Sequence, residues 1–431
     1  MALGVRALGP ISVLLILAAF ESSSAVSFVL ASGVWRLASP RFQTHHVPRT
    51  THHSQVFSTL HAPRRTQHSL QVFVTYAIAA AGTGGHVFPG LAVGEALVAA
   101  GVPADSVLFV GGSRLESRVY PEAGFPFLEV EIRGLQRRLT TSNLTIPGLV
   151  ARASSRIRSE FKARKVGVVL GMGGYVSVPA GFAARRSSAA LFIHEQNAEA
   201  GLANRMMSRW ARRSFGSFPQ TARLPRAEWV GNPIRRQLAQ FDRAGLRSAA
   251  MARYGLDPDR PVVGVFGGSL GAGILNRAAE VLAATSDGGG FSILHLTGSD
   301  HLESIAPSSD HFGRWHTVGF EDRMDHFYAA CDIVVARAGG AVAELTATAT
   351  PAILVPGGFG SGEHQAANAE ALVSVGAAIL VAEDDIVRLP SVVTELLSQP
   401  DRMHEMAVAS SKLSRPDAAD AVANAMRQAH A

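Results

Sequence analysis

Two glycine turns, each opening a helical stretch, are the first residues in this sequence with the means to do chemistry. Gly82-Thr83-Gly84-Gly85-His86 closes the β-rich run 72–78, and Gly267-Gly268-Ser269-Leu270-Gly271 closes the apolar run 262–266. The first backbone N–H groups of a helix have no intrahelical acceptor, and glycine lets a ligand approach them. With the helix dipole added, phosphate is their common guest. Two such turns in succession fit a nucleoside diphosphate, or a diphosphate lipid at one of them. His86 adds a group that can take up a proton near neutral pH.

Two other uses of such turns fail on spacing. Gly82-Thr-Gly84-Gly-His-Val87 lacks the third glycine of a dinucleotide turn, and the next strand, 106–110, ends in Gly111 instead of an acid that would hold a ribose. No Gly-Lys-Ser/Thr follows residue 267, so the second turn is not a P-loop. Asp257-Pro-Asp259 has the look of a metal motif but precedes its strand, which makes it a turn. No other carboxylate cluster suggests a metal site.

The elements that position these turns repeat. Short apolar strands at 72–78, 106–110, 166–170 and 189–193 alternate with helical stretches, one of them over 91–100. The pattern restarts at 262–266, 291–296, 333–336 and 352–355. Unalternating apolar strands between helices read as parallel sheets covered on both faces. The fold class is therefore α/β, with two Rossmann-like doubly wound domains, 72–230 and 231–410, joined near Pro225, Gly231 and Pro233. Ligands in such sheets sit beyond the carboxyl ends of the strands, where every glycine cluster falls. A last helical stretch, 401–430, breaks at Pro416.

Residues 1–71 read as a leader. Arg6 precedes the apolar run 11–20, small residues follow, and no Asp or Glu occurs between Phe28 and Gln71. A signal-like segment followed by a transit-like one suits plastid import; plain secretion, another organelle or a misplaced start codon are the alternatives. Residues 1–80 carry a net +5 of the chain's +6, so the basic balance gives no footing for nucleic-acid binding. The single cysteine, Cys331, leaves no intramolecular disulfide.

Six motifs, in order over about residues 74–425, resemble the MurG glycosyltransferases, the undecaprenyldiphospho-muramoylpentapeptide β-N-acetylglucosaminyltransferases. They are Gly82–Ala92, Gly171-Met-Gly-Gly-Tyr-Val-Ser177, His194-Glu-Gln-Asn197, Gly231-Asn-Pro-Ile-Arg235, Gly267–Ala272 and His364-Gln365-x-x-Asn368. The resemblance implies the GT-B fold, two such domains facing across a cleft, with residues 411–431 returning to the first. It implies an inverting, cofactor-free transfer of N-acetylglucosamine from UDP-GlcNAc to a lipid-linked diphosphate acceptor, lipid I to lipid II. Thr83, Gly84 and Gly85 would approach the sugar and the acceptor diphosphate. His86 would take the proton of the acceptor's 4-hydroxyl, with Glu195 the rival base. Asn197 would touch the sugar, Arg235 the phosphate or nucleoside, and Ser269 and Gly271 the diphosphate. Phe320 and Glu321 would lie by the uracil. Gly340 and Ala341 would open the nucleotide helix, whose Glu344 accepts the ribose hydroxyls. His364, Gln365 and Asn368 would reach the sugar and diphosphate.

Several positions depart from the family's pattern. Leu270 and Gly273 replace a Gln and an Arg, 337–344 is a residue short, Glu321 stands in place of an aliphatic residue, and His364 in place of a Gln. These leave room for a degenerate, binding-only protein, and the fold alone leaves room for a plastid galactosyltransferase acting on diacylglycerol. Apolar residues amid arginines and lysines over 133–165 suit peripheral contact with an anionic membrane.

Overall fold

The structure is a computed structural model that describes residues 75–132, 145–268, 271–305, 314–357 and 362–429. The expected leader, 1–71, lies outside the described residues, and so does Ser269. The first half holds strands β1 (Thr75–Ala79), β2 (Val107–Gly111), β3 (Phe127–Glu129), β4 (Val166–Gly171), β5 (Ala190–Glu195), β6 (Arg213–Gly216) and β7 (Ala227–Trp229), with helices α1 (Gly84–Ala99), α2 (Glu116–Glu122) and α3 (Ile146–Ala163) among those covering it. The strands form one parallel sheet in the order β3-β2-β1-β4-β5-β6-β7.

The second half begins with α4 (Arg243–Tyr254). Its strands are β8 (Val262–Phe266), β9 (Ser292–Leu296), β10 (Trp315–Val318), β11 (Ile333–Ala336), β12 (Ala352–Leu354) and β13 (Ala378–Leu380). They also run parallel, in the order β10-β9-β8-β11-β12-β13. Helices α5 (Gly273–Gly289), α6 (Ala341–Ala347), α7 (Gly362–Val373), α8 (Pro400–Leu413) and α9 (Ala418–Gln428) belong to this stretch of the chain.

Covered faces explain the unalternating strands. Ile78 packs into one core cluster while Ala77 and Ala79, on the other face of β1, pack into a second. Val263 and Val265 of β8 likewise part from Val262 and Phe266. In both sheets the order reverses beside the first strand, between β1 and β4 and between β8 and β11. A crevice opens at such a switch point, at the carboxyl ends of the strands.

Two elements differ from the sequence reading. The first helix starts at Gly84, seven residues earlier than the apolar pattern indicated, because its opening turn is glycine and has no side chains to show a period. Pro89 lies inside it and, having no N–H, cannot donate to the Gly85 carbonyl. The last helical stretch breaks where Pro416 predicted, between α8 and α9. α9 then lies along α1, burying Val422, Ala423 and Met426 among Leu91, Leu97 and Phe109 of the first half. Burial of Val422 and Met426 contributes about 1.5–3 kcal/mol each.

Candidate active site

The two switch points face each other. A Cβ added to Gly340, at the start of α6, would stand 3.3 Å from the Gly85 Cα at the start of α1. The turns after β1, β4, β8 and β11 thus line one cleft, and the openings of α1, α5 and α6 direct their unpaired amides toward it. Glycine is required at both main turns. Gly82 sits at φ +106°, and Gly271 at φ +73° with the Thr297 carbonyl where a side chain would go.

His86 stands in the first turn of α1, at the cleft wall. Its Nδ1 is 3.3 Å from the Thr83 hydroxyl, and its Cδ2–Nε2 edge lies over Gly173, where an added Cβ would be 3.3 Å away. Burial lowers the imidazole's pKa; the Glu195 and Glu116 carboxylates oppose the shift and His364 adds to it. The ring is therefore neutral near pH 7 and can accept a proton. His364, half-buried on α7, comes from the opposite half, so the cleft brings the two histidines together.

Glu195 is not placed to act as a base. It is buried, and each oxygen already accepts two hydrogen bonds: Oε1 from the Asn197 amide and side chain, at 3.1 and 3.0 Å, and Oε2 from Gly201 N and Asn204 Nδ2, at 3.0 and 2.9 Å. A carboxylate so saturated shapes the turn after β5. Asn368 departs from its expected role in the same way. It is 1% exposed; its Oδ1 accepts from Ala198 N at 2.8 Å, and its Nδ2 donates to Ala338 O at 3.0 Å and Asn197 Oδ1 at 3.2 Å. Asn368 therefore ties the two halves together through both of its polar atoms. Asn197, half-buried, shares that tie.

Glu321 points inward as well. Its carboxylate, 6% exposed, accepts from Arg253 Nη2 at 2.9 Å, Tyr254 Oη at 2.7 Å and Arg323 N at 2.8 Å. The acid that replaced an aliphatic residue is thus satisfied within the protein and does not meet a base. Phe320 beside it is 46% exposed and free to pack on one. In the same half, Glu344 is half-buried and accepts from Tyr328 Oη at 2.9 Å. Burial raises its pKa; the Arg235 guanidinium and the Tyr328 hydroxyl pull the other way. Arg235 donates to Asp322 O at 2.7 Å, covers the Phe88 ring at 5.4 Å and keeps a buried Nε without a partner. Gln365 accepts from Gly357 N at 2.9 Å and so fixes the turn after β12.

Sequence reading missed Glu116. It opens α2, is wholly buried, and accepts from Gly112 N at 3.0 Å and Gly82 N at 3.3 Å, clamping two glycine turns on adjacent strands. The one signal was an acid five residues beyond β2, too far for a ribose contact. Asn204, which holds Glu195 and the His194 carbonyl, gave no signal at all. The Asp257 carboxylate accepts from Asp259 N at 3.0 Å at the amino end of β8, the side away from the cleft. No cluster of three or more metal-ligating side chains occurs among the described residues.

Residues 76–215 match the N-terminal domain of glycosyltransferase family 28, and 262–422 match its C-terminal domain. The chain is 41% identical over 358 residues to the UDP-N-acetylglucosamine–N-acetylmuramyl-(pentapeptide) pyrophosphoryl-undecaprenol N-acetylglucosamine transferase of Clavibacter michiganensis, covering 82% of this chain and 96% of that protein. The protein of the same name from Halorhodospira halophila is 40% identical over 355 residues, 81% and 96% of the two chains. Among solved structures, Acinetobacter baumannii MurG superposes with a TM-score of 0.62 at 27% identity, over 82% of this chain and 99% of that one. Neisseria meningitidis UDP-GlcNAc 2-epimerase shares the fold, with a TM-score of 0.58 at 13% identity over 82% and 100%.

Proposed function

Since the chain belongs to glycosyltransferase family 28, we propose that it transfers N-acetylglucosamine from UDP-GlcNAc to the 4-hydroxyl of a lipid-linked N-acetylmuramoyl-pentapeptide diphosphate, inverting the anomeric carbon. One observation carries this reading. The chain follows transferases of that activity over nearly their whole length, and its two switch points close on each other through Gly85 and Gly340. The galactosyltransferase and binding-only readings have no such support.

In this mechanism the acceptor's hydroxyl gives its proton to neutral His86 as its oxygen bonds to the sugar's anomeric carbon. The bond from that carbon to the diphosphate breaks on the opposite face, and UDP leaves with the electron pair. Amides at the start of α5, with Gly271 holding the turn open, meet the departing charge, and so does the dipole of that helix. Arg235 lies close enough to Glu344 for the two charges to be felt, and contributes its own charge beside the nucleotide. Glu344 accepts from the ribose hydroxyls, and Phe320 packs on the uracil. Thr83, Gly84 and Gly85 border both sugar and acceptor; His364 and Gln365 shape the far wall. The chain's residues supply this chemistry without a cofactor.

The acceptor's lipid keeps this chemistry at a membrane surface. Leu149, Ala153, Ile157 and Phe161 of α3 are buried inward, while Ile146 and Val150 are half-buried and Arg152 and Arg156 are exposed. That outer edge suits an anionic surface; Arg133, Arg137, Arg138 and Leu144, which would join it, lie outside the described residues. No described helix is long and apolar enough to cross a membrane. The leader's two-part pattern supports a plastid location, to be tested by fusing residues 1–71 to a fluorescent protein. For the activity, the chain is incubated with radiolabelled UDP-GlcNAc and lipid I. Label in the lipid fraction is expected; label left wholly in the nucleotide would overturn the assignment.

A further inference from the structure

The turn 319–323 follows β10, so it lies at the carboxyl end of the sheet, the end that carries the glycine turns. It sets an exposed aromatic residue, Phe320, between Gly319 and the buried Glu321. An exposed ring at that end offers a flat apolar face to a planar guest. A ring on a turn keeps one angle only if the turn is held.

Glu321 supplies the hold. Its Oε1 accepts from Arg253 Nη2 at 2.9 Å and from Arg323 N at 2.8 Å; its Oε2 accepts from Tyr254 Oη at 2.7 Å and from Arg253 Nε at 3.3 Å. Two of these bonds come from one guanidinium as a fork, which sets direction as well as distance. Burial alone raises the carboxyl pKa, but the bonds from Tyr254, Arg253 and Arg323 N lower it, so the group is ionised near neutral pH. Arg253 and Tyr254 end α4, which packs along the helix Met324–Ala330 that the turn leads into. The anchor is therefore regular structure on both sides.

A second hold acts on the next residue. The Asp322 carbonyl accepts from Arg235 Nη1 at 2.7 Å and from Gln237 Nε2 at 3.0 Å, both beyond the joint between the halves. With 321 and 322 both pinned, the backbone that follows Phe320 is fixed. The aliphatic residue of the family's pattern would fill the same space from more than one rotamer, whereas a forked carboxylate has one orientation.

We propose that Glu321 is a positioning residue for the donor: with Arg253 and Tyr254 it holds the turn so that the Phe320 ring presents its face to the base of the nucleotide. The inference rests on the reading of the cleft as a UDP-sugar site. It adds that the tightness of base binding is set by a side chain that faces away from the base.

The test titrates the full chain calorimetrically with UDP and with ribose 5-diphosphate, which has a hydroxyl in place of the base. In the native protein UDP should bind about tenfold or more tighter, the contribution of a base–aromatic stack. Phe320→Ala should close that gap. Glu321→Gln keeps the shape but breaks the fork; it should narrow the gap about fivefold, and Tyr254→Phe about twofold, with ribose 5-diphosphate affinity held. In the Phe320→Ala background Glu321→Gln should add no further loss, since its effect passes through the ring. Donor KM should rise with kcat nearly unchanged. Leu396→Ala, in the core cluster on the other face of the same sheet, should lower the melting temperature without narrowing the gap. A native protein that binds neither ligand, or both equally, would overturn the nucleotide reading and this inference with it. A gap that Phe320→Ala closes and Glu321→Gln leaves intact would overturn the inference alone. So would a Glu321→Gln loss that falls equally on both ligands or persists in full without the Phe320 ring.

Discussion

Replacing Glu116 with glutamine tests whether the first glycine turn is held or merely formed. The native carboxylate offers one oxygen to Gly82 N and one to Gly112 N, with no exposure to water. Glutamine keeps the shape but has one oxygen, so one of the two amides must face an NH₂ group and lose its acceptor. A hydrogen bond to a charged group is worth about 1.5–3 kcal/mol, and a stranded buried donor costs a similar amount. The melting temperature should fall by several degrees. If the displaced turn is the one at Gly82, the reacting groups shift with it. A misplacement of order 1 Å costs up to about 10² in rate, so kcat should drop roughly tenfold or more while UDP affinity holds. A third readout separates positioning from simple loosening. The Glu116 charge raises the His86 pKa, so its loss must move the acid limb of the kcat/KM profile to lower pH. A variant that melts early but keeps its kcat and its acid limb, or whose limb moves up, would refute the reasoning.

In the native protein the acid limb of kcat/KM should lie below pH 6.5, because burial lowers the His86 pKa and activity disappears only as pH falls through that value; a profile over pH 4.5–8 measures it. His86→Ala should reduce kcat by about 10²–10⁴ with UDP binding intact, read by steady-state kinetics and calorimetry. Glu344→Gln should weaken UDP by about tenfold or more, with little change at saturating donor, and should not weaken 2′,3′-dideoxy-UDP. Asn368→Ala strands Ala198 N and Ala338 O and should cost about 2–4 kcal/mol in melting experiments, together with a rise in donor KM as the halves part. Asp257→Ala should leave turnover unchanged.

The fold was legible where burial is two-sided. β1, β8 and β11 are fully buried and almost wholly apolar, and the glycine after each marked a carboxyl end. β3, β7 and β13 are three residues long with partly exposed positions, so no pattern distinguishes them from loop. The cleft residues were legible as types but not always as roles. Asn368 looks like a sugar ligand until its partners, 170 and 171 positions earlier in the chain, are seen. Glu195 and Glu321 were read as facing the cleft because a lone carboxylate in a sequence does not reveal the four or more donors that fold around it. Glu116 was overlooked for the converse reason: its partners are backbone amides, which every residue has.

The seating of α9 against α1 has a consequence for synthesis. The first half is translated early, but one wall of its interior is written more than three hundred positions later, from Ala418 onward. Until the ribosome releases that segment, Leu91, Leu97 and Phe109 lack part of their cover, and the early half waits as an unsealed intermediate in need of shelter. A nonsense mutation just before Ala418 would therefore unseat the part of the protein made first, and a hybrid joining two relatives at the linker must take this helix from the same parent as its first half.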